Sequence, residues 1–109
     1  MNAHPRFEKT DWSRVPSHLR VELERWVING TPPQRSRFLR SVLVNDLTGA
    51  VRTCVGIECL NLVHLTQFLI DECPADSFGS LNNVHYWGEM GGLTGVVRIT
   101  ERKGVIYGR

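Results

Sequence analysis

Leu19, Leu23, Trp26 and Val27 recur at i, i+4, i+7 and i+8, which sets all four on one stripe of a helix. The spacing predicts a helix from Ser17 to Asn29, with Arg20, Glu24 and Arg25 on its other faces. Asn29-Gly30 supplies a left-handed cap, and Pro32-Pro33 prevents continuation. A second helix is predicted over Gln34 to Val44, burying Phe38, Leu39, Val42 and Leu43. Arg37 and Arg40 lie off that stripe, with Arg35 just before them. Asn45-Asp46 breaks the pattern, and Asp46 caps a short third helix through Leu47, Ala50 and Val51 that Gly56 closes.

The segment from Ile57 to Glu72 has a different pattern. Ile57, Cys59, Leu60, Leu62, Val63, Leu65, Phe68, Leu69 and Ile70 fall on nearly every side of a helical wheel. A helix that is apolar all round is usually central, so the other helices are expected to sheathe this one. Gly79-Ser80 then reads as a turn and N-cap for a fifth helix over Leu81 to Glu89, which buries Leu81, Val84 and Trp87 and ends at Gly91-Gly92. Val96, Val97, Ile99, Val105, Ile106 and Tyr107 are β-formers separated by Glu101-Arg102-Lys103-Gly104, the signature of a two-stranded hairpin. The expected fold is therefore mainly α. It is a compact bundle of about five short helices around a central apolar helix, followed by a C-terminal β-hairpin. Residues 1–16 are read as an arm docked through Trp12, 17–92 as the helical domain and 93–109 as the hairpin tail.

Length and composition agree with one domain. No apolar run approaches the ~18–20 residues that span a bilayer, and Met1 to Asp11 has no apolar region of a secretory signal. The expected compartment is the cytoplasm. An odd number of cysteines (Cys54, Cys59 and Cys73) argues against a disulfide framework there. Net charge is only +2, but its distribution is uneven: +4 over residues 1–40, −5 over 41–92 and +3 over 93–109. Eleven of the thirteen basic residues are arginine, which suits bidentate and stacked contacts at interfaces.

Several segments resemble small uncharacterised helical proteins of bacteriophages and prophages. They are Leu23-Glu24-Arg25-Trp26, Gly30-Thr31-Pro32-Pro33, Phe38-Leu39, Val42 through Leu47, Phe68-Leu69, Pro74, Gly79-Ser80, and Trp87 with its trailing glycines. The likeness spans residues 16 to 92 and specifies a fold more than a chemistry. Two segments depart from it. Gln34-Arg35-Ser36-Arg37 is more basic than the glycine-rich form expected there, and the tail after Gly92 lies outside the pattern. The resemblance implies a phage or mobile-element protein of the host bacterium's cytoplasm, and an inhibitor of a bacterial defence system such as CRISPR.

Candidate chemistry is sparse. Cys54, Cys59, His64 and Cys73 have spacings of five, five and nine, unlike the usual zinc arrangements. Residues five apart on a helix are about 140° out of phase, so the cysteines read as apolar core filling. No nucleophile elbow or phosphate loop is present. Asp71 and Asp76 read as a helix-end charge and a turn residue. No catalytic residue, metal or cofactor is assigned, and the protein is expected not to be an enzyme. What is left is a basic surface of Arg35, Arg37 and Arg40, with Arg20 and Arg25 beside it and Arg98, Arg102 and Lys103 extending it. The expected function is non-enzymatic binding of a host or viral protein complex. One alternative is sequence-independent nucleic-acid binding through the same arginines. Another is self-assembly through the stretch from Val96 to Tyr107. The joint between the first two helices is too long for a helix-turn-helix, and few aromatics interleave with the bases to stack single strands.

Overall fold

The computed structural model of the chain describes residues 5–103. Seven α-helices occur among them: α1 (Arg20–Asn29), α2 (Arg37–Leu43), α3 (Leu47–Thr53), α4 (Ile57–Leu60), α5 (Leu62–Glu72), α6 (Leu81–Met90) and α7 (Gly92–Lys103). Single 3-10 turns precede α1 and join α5 to α6.

The chain punctuates itself with side chains that satisfy the free N–H groups of helix starts. Ser36 Oγ accepts from Leu39 N–H at 2.9 Å, Asp46 Oδ1 from Gly49 N–H at 2.9 Å, and Ser80 Oγ from Asn83 N–H at 3.0 Å. Asn45 adopts φ +65° just before the Asp46 cap, a conformation that asparagine tolerates better than most residues. Gly30 and Gly91 take the left-handed cap at the ends of α1 and α6.

The predicted stripe of α1 is the centre of the core: Leu19, Leu23, Trp26 and Val27 are all buried. Phe38, Leu39 and Leu43 meet it from α2, Leu65, Phe68 and Leu69 from α5, and Trp87 from α6. Two tryptophans tie these layers with buried hydrogen bonds. Trp26 Nε1 donates to the Ser77 carbonyl at 2.8 Å, and Trp87 Nε1 donates to the Trp26 carbonyl at 3.0 Å. The N-terminal segment docks on α5 through more than Trp12. Phe7 and Val15 are buried as well, and the Trp12 ring sits 5.1 Å from Phe7 and 4.9 Å from Phe68. Arg14 fixes its far side by pairing with Asp71 at 2.7 Å and Glu72 at 3.6 Å.

Three expectations are corrected. The first is the β-hairpin: no strand occurs among the described residues, and Gly92–Lys103 is helical. The second half of the expected hairpin, Val105 to Tyr107, lies outside the described residues. β-Branched residues favour strands only weakly, and here tertiary packing decides. Leu93 and Val96, three apart, pack against the core, while Glu101-Arg102-Lys103 continues the helix with good helix formers. Gly92, at φ +66°, brings α7 against the end of α1 so closely that a Cβ on it would lie 2.5 Å from Gly30 N and 2.8 Å from Asn29 N.

The second correction is the central helix. The segment from Ile57 to Glu72 is interrupted at Asn61 and covered on one side only. Leu65, Phe68 and Leu69 are buried, whereas Leu60 is 80% and Val63 77% exposed. The true centre is α1. In α6, Leu81 is likewise 70% exposed, while Trp87 is buried as expected. The third correction concerns the cysteines. Cys54 and Cys59 form a disulfide that clips the end of α3 to α4, and only Cys73 is a free buried thiol.

Candidate functional site

The joint between α1 and α2 builds a groove. Pro33 is buried and anchors the extended Thr31–Gln34 segment, and the Arg35 N–H donates to Glu22 Oε2 at 3.3 Å, tying the segment to the outer side of α1. One stretch of the groove has a volume of about 420 Å³ and is lined by His18, Val21, Glu22, Arg25, Pro32 and Arg35. A second stretch, of about 520 Å³, is lined by His18, Glu22, Arg35, Arg37, Val55 and Glu58. The two share His18, Glu22 and Arg35 and so form one continuous depression.

At the junction lies a pair that sequence reasoning did not find. Glu58 is only 7% exposed, and its carboxylate is fully engaged. Oε2 lies 2.6 Å from His18 Nε2, and Oε1 accepts the Val55 N–H at 2.9 Å. The second contact ties Glu58 back to the backbone just before the Gly56 cap of α4, a place that suits a carboxylate near a helix N-terminus. Val55-Gly56-Ile57-Glu58 lacks the Ser/Thr-x-x-Glu signature that would have announced that contact in the sequence. The contact with His18, forty residues away, carried no signal either.

The structure gathers some of the expected arginines and disperses others. Arg25, Arg35 and Arg37 line the groove, are exposed, and have no carboxylate partner among the described residues. Arg40 is exposed on α2 but does not line it. Arg20 is occupied: its Nε donates to Glu24 Oε1 at 2.8 Å, and its guanidinium lies 4.7 Å over the Trp12 ring, a cation–π contact. Arg98, Arg102 and Lys103 belong to α7, so they sit on a helix and not on a hairpin.

The groove alternates charge with apolar surface. Val21, Pro32 and Val55 stand between the arginines, and Glu22 adds a carboxylate among them. Unpaired guanidinium groups interleaved with apolar patches can meet a surface that mixes carboxylates with aliphatic side chains.

The other titratable groups lie elsewhere. His64 is exposed on α5, and burial pushes the Cys73 thiol up to about 12, which keeps it protonated and unreactive. No group of three His, Cys, Asp or Glu side chains is placed to hold a metal ion among the described residues. Among the described residues no helix is long and apolar enough to cross a membrane.

No family model matches the chain, and neither a curated protein nor a solved structure matches it.

Proposed function

We propose that the protein is a non-enzymatic binding module that captures an acidic, partly apolar segment of a partner protein in the groove between α1 and α2. The observation that carries this reading is the row of three unpaired guanidinium groups, Arg25, Arg35 and Arg37, along one depression with apolar surface between them. Each is free to make a bidentate pair with a carboxylate. Glu58 is already engaged by His18 and the Val55 N–H, so it competes little for those arginines.

A phosphate backbone is the second reading for the same arginines, and Glu22 is the observation against it. A carboxylate lining the groove repels each phosphate it faces, whereas a peptide with its own cationic or amide groups accommodates it. The identification as a phage inhibitor of a defence complex such as CRISPR, acting in a host cytoplasm, rests on the sequence resemblance. Blocking a partner's acidic surface is a mode of action that fits it.

The test is affinity capture with mass spectrometry, comparing the natural chain with a triple variant (Arg25→Glu, Arg35→Glu, Arg37→Glu) and a control variant, Lys9→Glu. The expected result is one set of partner proteins held by the natural chain and the control and lost by the triple variant. Capture unchanged by the triple substitution overturns the reading. Binding of a DNA or RNA duplex at about 50 mM salt, weakening steeply as salt rises, transfers the arginines to the nucleic-acid reading.

A further inference from the structure

The outer side of α4 and α5 offers a surface of a different kind from the groove. Backbone hydrogen bonds continue through the break at Asn61, whose N–H donates to Ile57 O at 3.1 Å and whose carbonyl accepts from Leu65 N–H at 2.8 Å. The two helices therefore form one slightly broken rod. Along its exposed side run Leu60, Val63, Gln67 and Ile70, spaced three, four and three apart, which is the spacing of a helix-to-helix seam. No Lys, Arg, Asp or Glu occurs from Cys59 to Ile70. Leu47 of α3 is exposed beside the rod and shares a shallow cleft with Leu62 and Thr66 of α5, and Val51, one helical turn further along α3, is exposed as well.

We propose that this face is a homodimer interface, in which the α4–α5 rod packs antiparallel against the same rod of a second copy of the chain. Three features select that occupant. First, the seam is self-complementary about its midpoint. In an antiparallel pair, Leu60 of one copy meets Ile70 of the other and Val63 meets Gln67, as a twofold interface requires. Second, the ends are complementary in charge. Arg52 is exposed next to the disulfide at the N-terminal end. Asp71 and Glu72 at the other end share one arginine, Arg14, and Asp76 follows them. Antiparallel packing sets the acidic end of each rod beside the Arg52 end of its partner, where the helix dipole also favours negative charge. Parallel packing would bring the two acidic ends together.

Third, the area is of the right size. Leu47, Val51, Ile57, Leu60, Val63 and Ile70 are each 56–80% exposed. At roughly 100 Å² of apolar surface per side chain they present about 400 Å². A specific interface takes about 800 Å² per partner, of which some 56–65% is apolar. The face therefore supplies most of the apolar share, with His64 and Thr66 exposed as its polar rim. An interface at that end of the range corresponds to a dissociation constant on the order of 1–100 µM.

Sedimentation velocity of the full-length chain from about 1 to 200 µM tests this. The expected result is a mass that rises with concentration from 12.4 kDa toward twice that value. Val63→Lys, at a position exposed in the single chain, should keep the circular dichroism spectrum while weakening association by at least ~30-fold. Val63→Lys with Gln67→Glu should recover most of it, because the antiparallel register sets position 63 against position 67. A natural chain that stays at 12.4 kDa throughout, or a Val63→Lys chain that dimerises as before, overturns the proposal. A dimer lost in Val63→Lys and not recovered in the double variant overturns the antiparallel register.

Discussion

Gly92→Ala isolates the contact that holds the last helix on the first, and Gly91→Ala beside it is the control. Both glycines have positive φ, +82° at Gly91 and +66° at Gly92, so either alanine incurs roughly 1–2 kcal/mol of left-handed strain. Their surroundings differ. A Cβ at Gly91 would find its nearest neighbour, Gly95 Cα, at an ordinary 3.6 Å. A Cβ at Gly92 would meet Gly30 N at 2.5 Å, Asn29 N at 2.8 Å and Ile28 C at 2.8 Å. All three are backbone atoms, so relief requires α7 to move off the end of α1 and uncover part of Leu93 and Val96. Overpacking of this kind costs about 1–3 kcal/mol. The expected losses are thus about 1–2 kcal/mol for Gly91→Ala and about 2–5 kcal/mol for Gly92→Ala. Total stability for a domain of this size is on the order of 5–15 kcal/mol, so the second variant should unfold well below the first on heating. Urea denaturation followed by circular dichroism measures both. If the two variants agree to within about 0.5 kcal/mol, the close approach of α7 to Gly30 is wrong, and with it the placement of the helix.

Further tests address the core, the disulfide and the titrating groups. Trp26→Phe keeps an aromatic ring but strands the buried Ser77 carbonyl, so stability should fall by about 2–4 kcal/mol in chemical denaturation. Reduction of Cys54–Cys59, or Cys59→Ser, opens a loop with a sequence separation of only five. The loss should be no more than about 2 kcal/mol, read as a small drop in the urea midpoint with helicity retained.

The Arg14 guanidinium beside Asp71 holds its carboxyl below the usual 3.8. That contribution is complete above pH 4 and fades as pH falls through the depressed value. The stability gap between the natural chain and Arg14→Ala should therefore narrow in acid. Cys73 behaves with the opposite sign: burial raises its pKa from 9.0 to about 12, so its contribution is complete below pH 9 and is lost as pH climbs toward 12. Cys73→Val should flatten that alkaline decline in a pH series of melts.

The stripe Leu19, Leu23, Trp26, Val27 was legible because a single-sided helix states its buried face in its own spacing. The caps at Asp46, Ser80, Gly30 and Gly91 were legible because each acts within three or four residues, whereas Ser36, expected inside the second helix, is its N-cap. Failures came where the deciding partner is remote. Ile57 to Glu72 is apolar on all sides, which looks the same in sequence whether its second side meets a neighbouring helix or lies open. Val96, Val97 and Ile99 favour a strand in sequence, and the packing of Leu93 and Val96 on a core centred on α1, sixty-odd residues earlier in the chain, overrules that preference. Of the candidate site, the basic residues at 35 and 37 were visible as a cluster, but not the withdrawal of Arg20 onto Trp12 or the pairing of His18 with Glu58. Both are contacts between surfaces that only the folded chain brings together.

The indole of Trp26 reaches forward to residue 77, and its carbonyl receives the indole of residue 87. A chain emerging from the ribosome therefore makes α1 long before it makes either group that locks α1 in place. Until Ser77 appears, with about seven-tenths of the polypeptide made, the Trp26 N–H, buried in the finished fold, has no permanent neighbour. Synthesis halted before Ser77 should leave a nascent helical segment open to chaperones and proteases, and resistance to digestion should arrive in one step once Trp87 has been added.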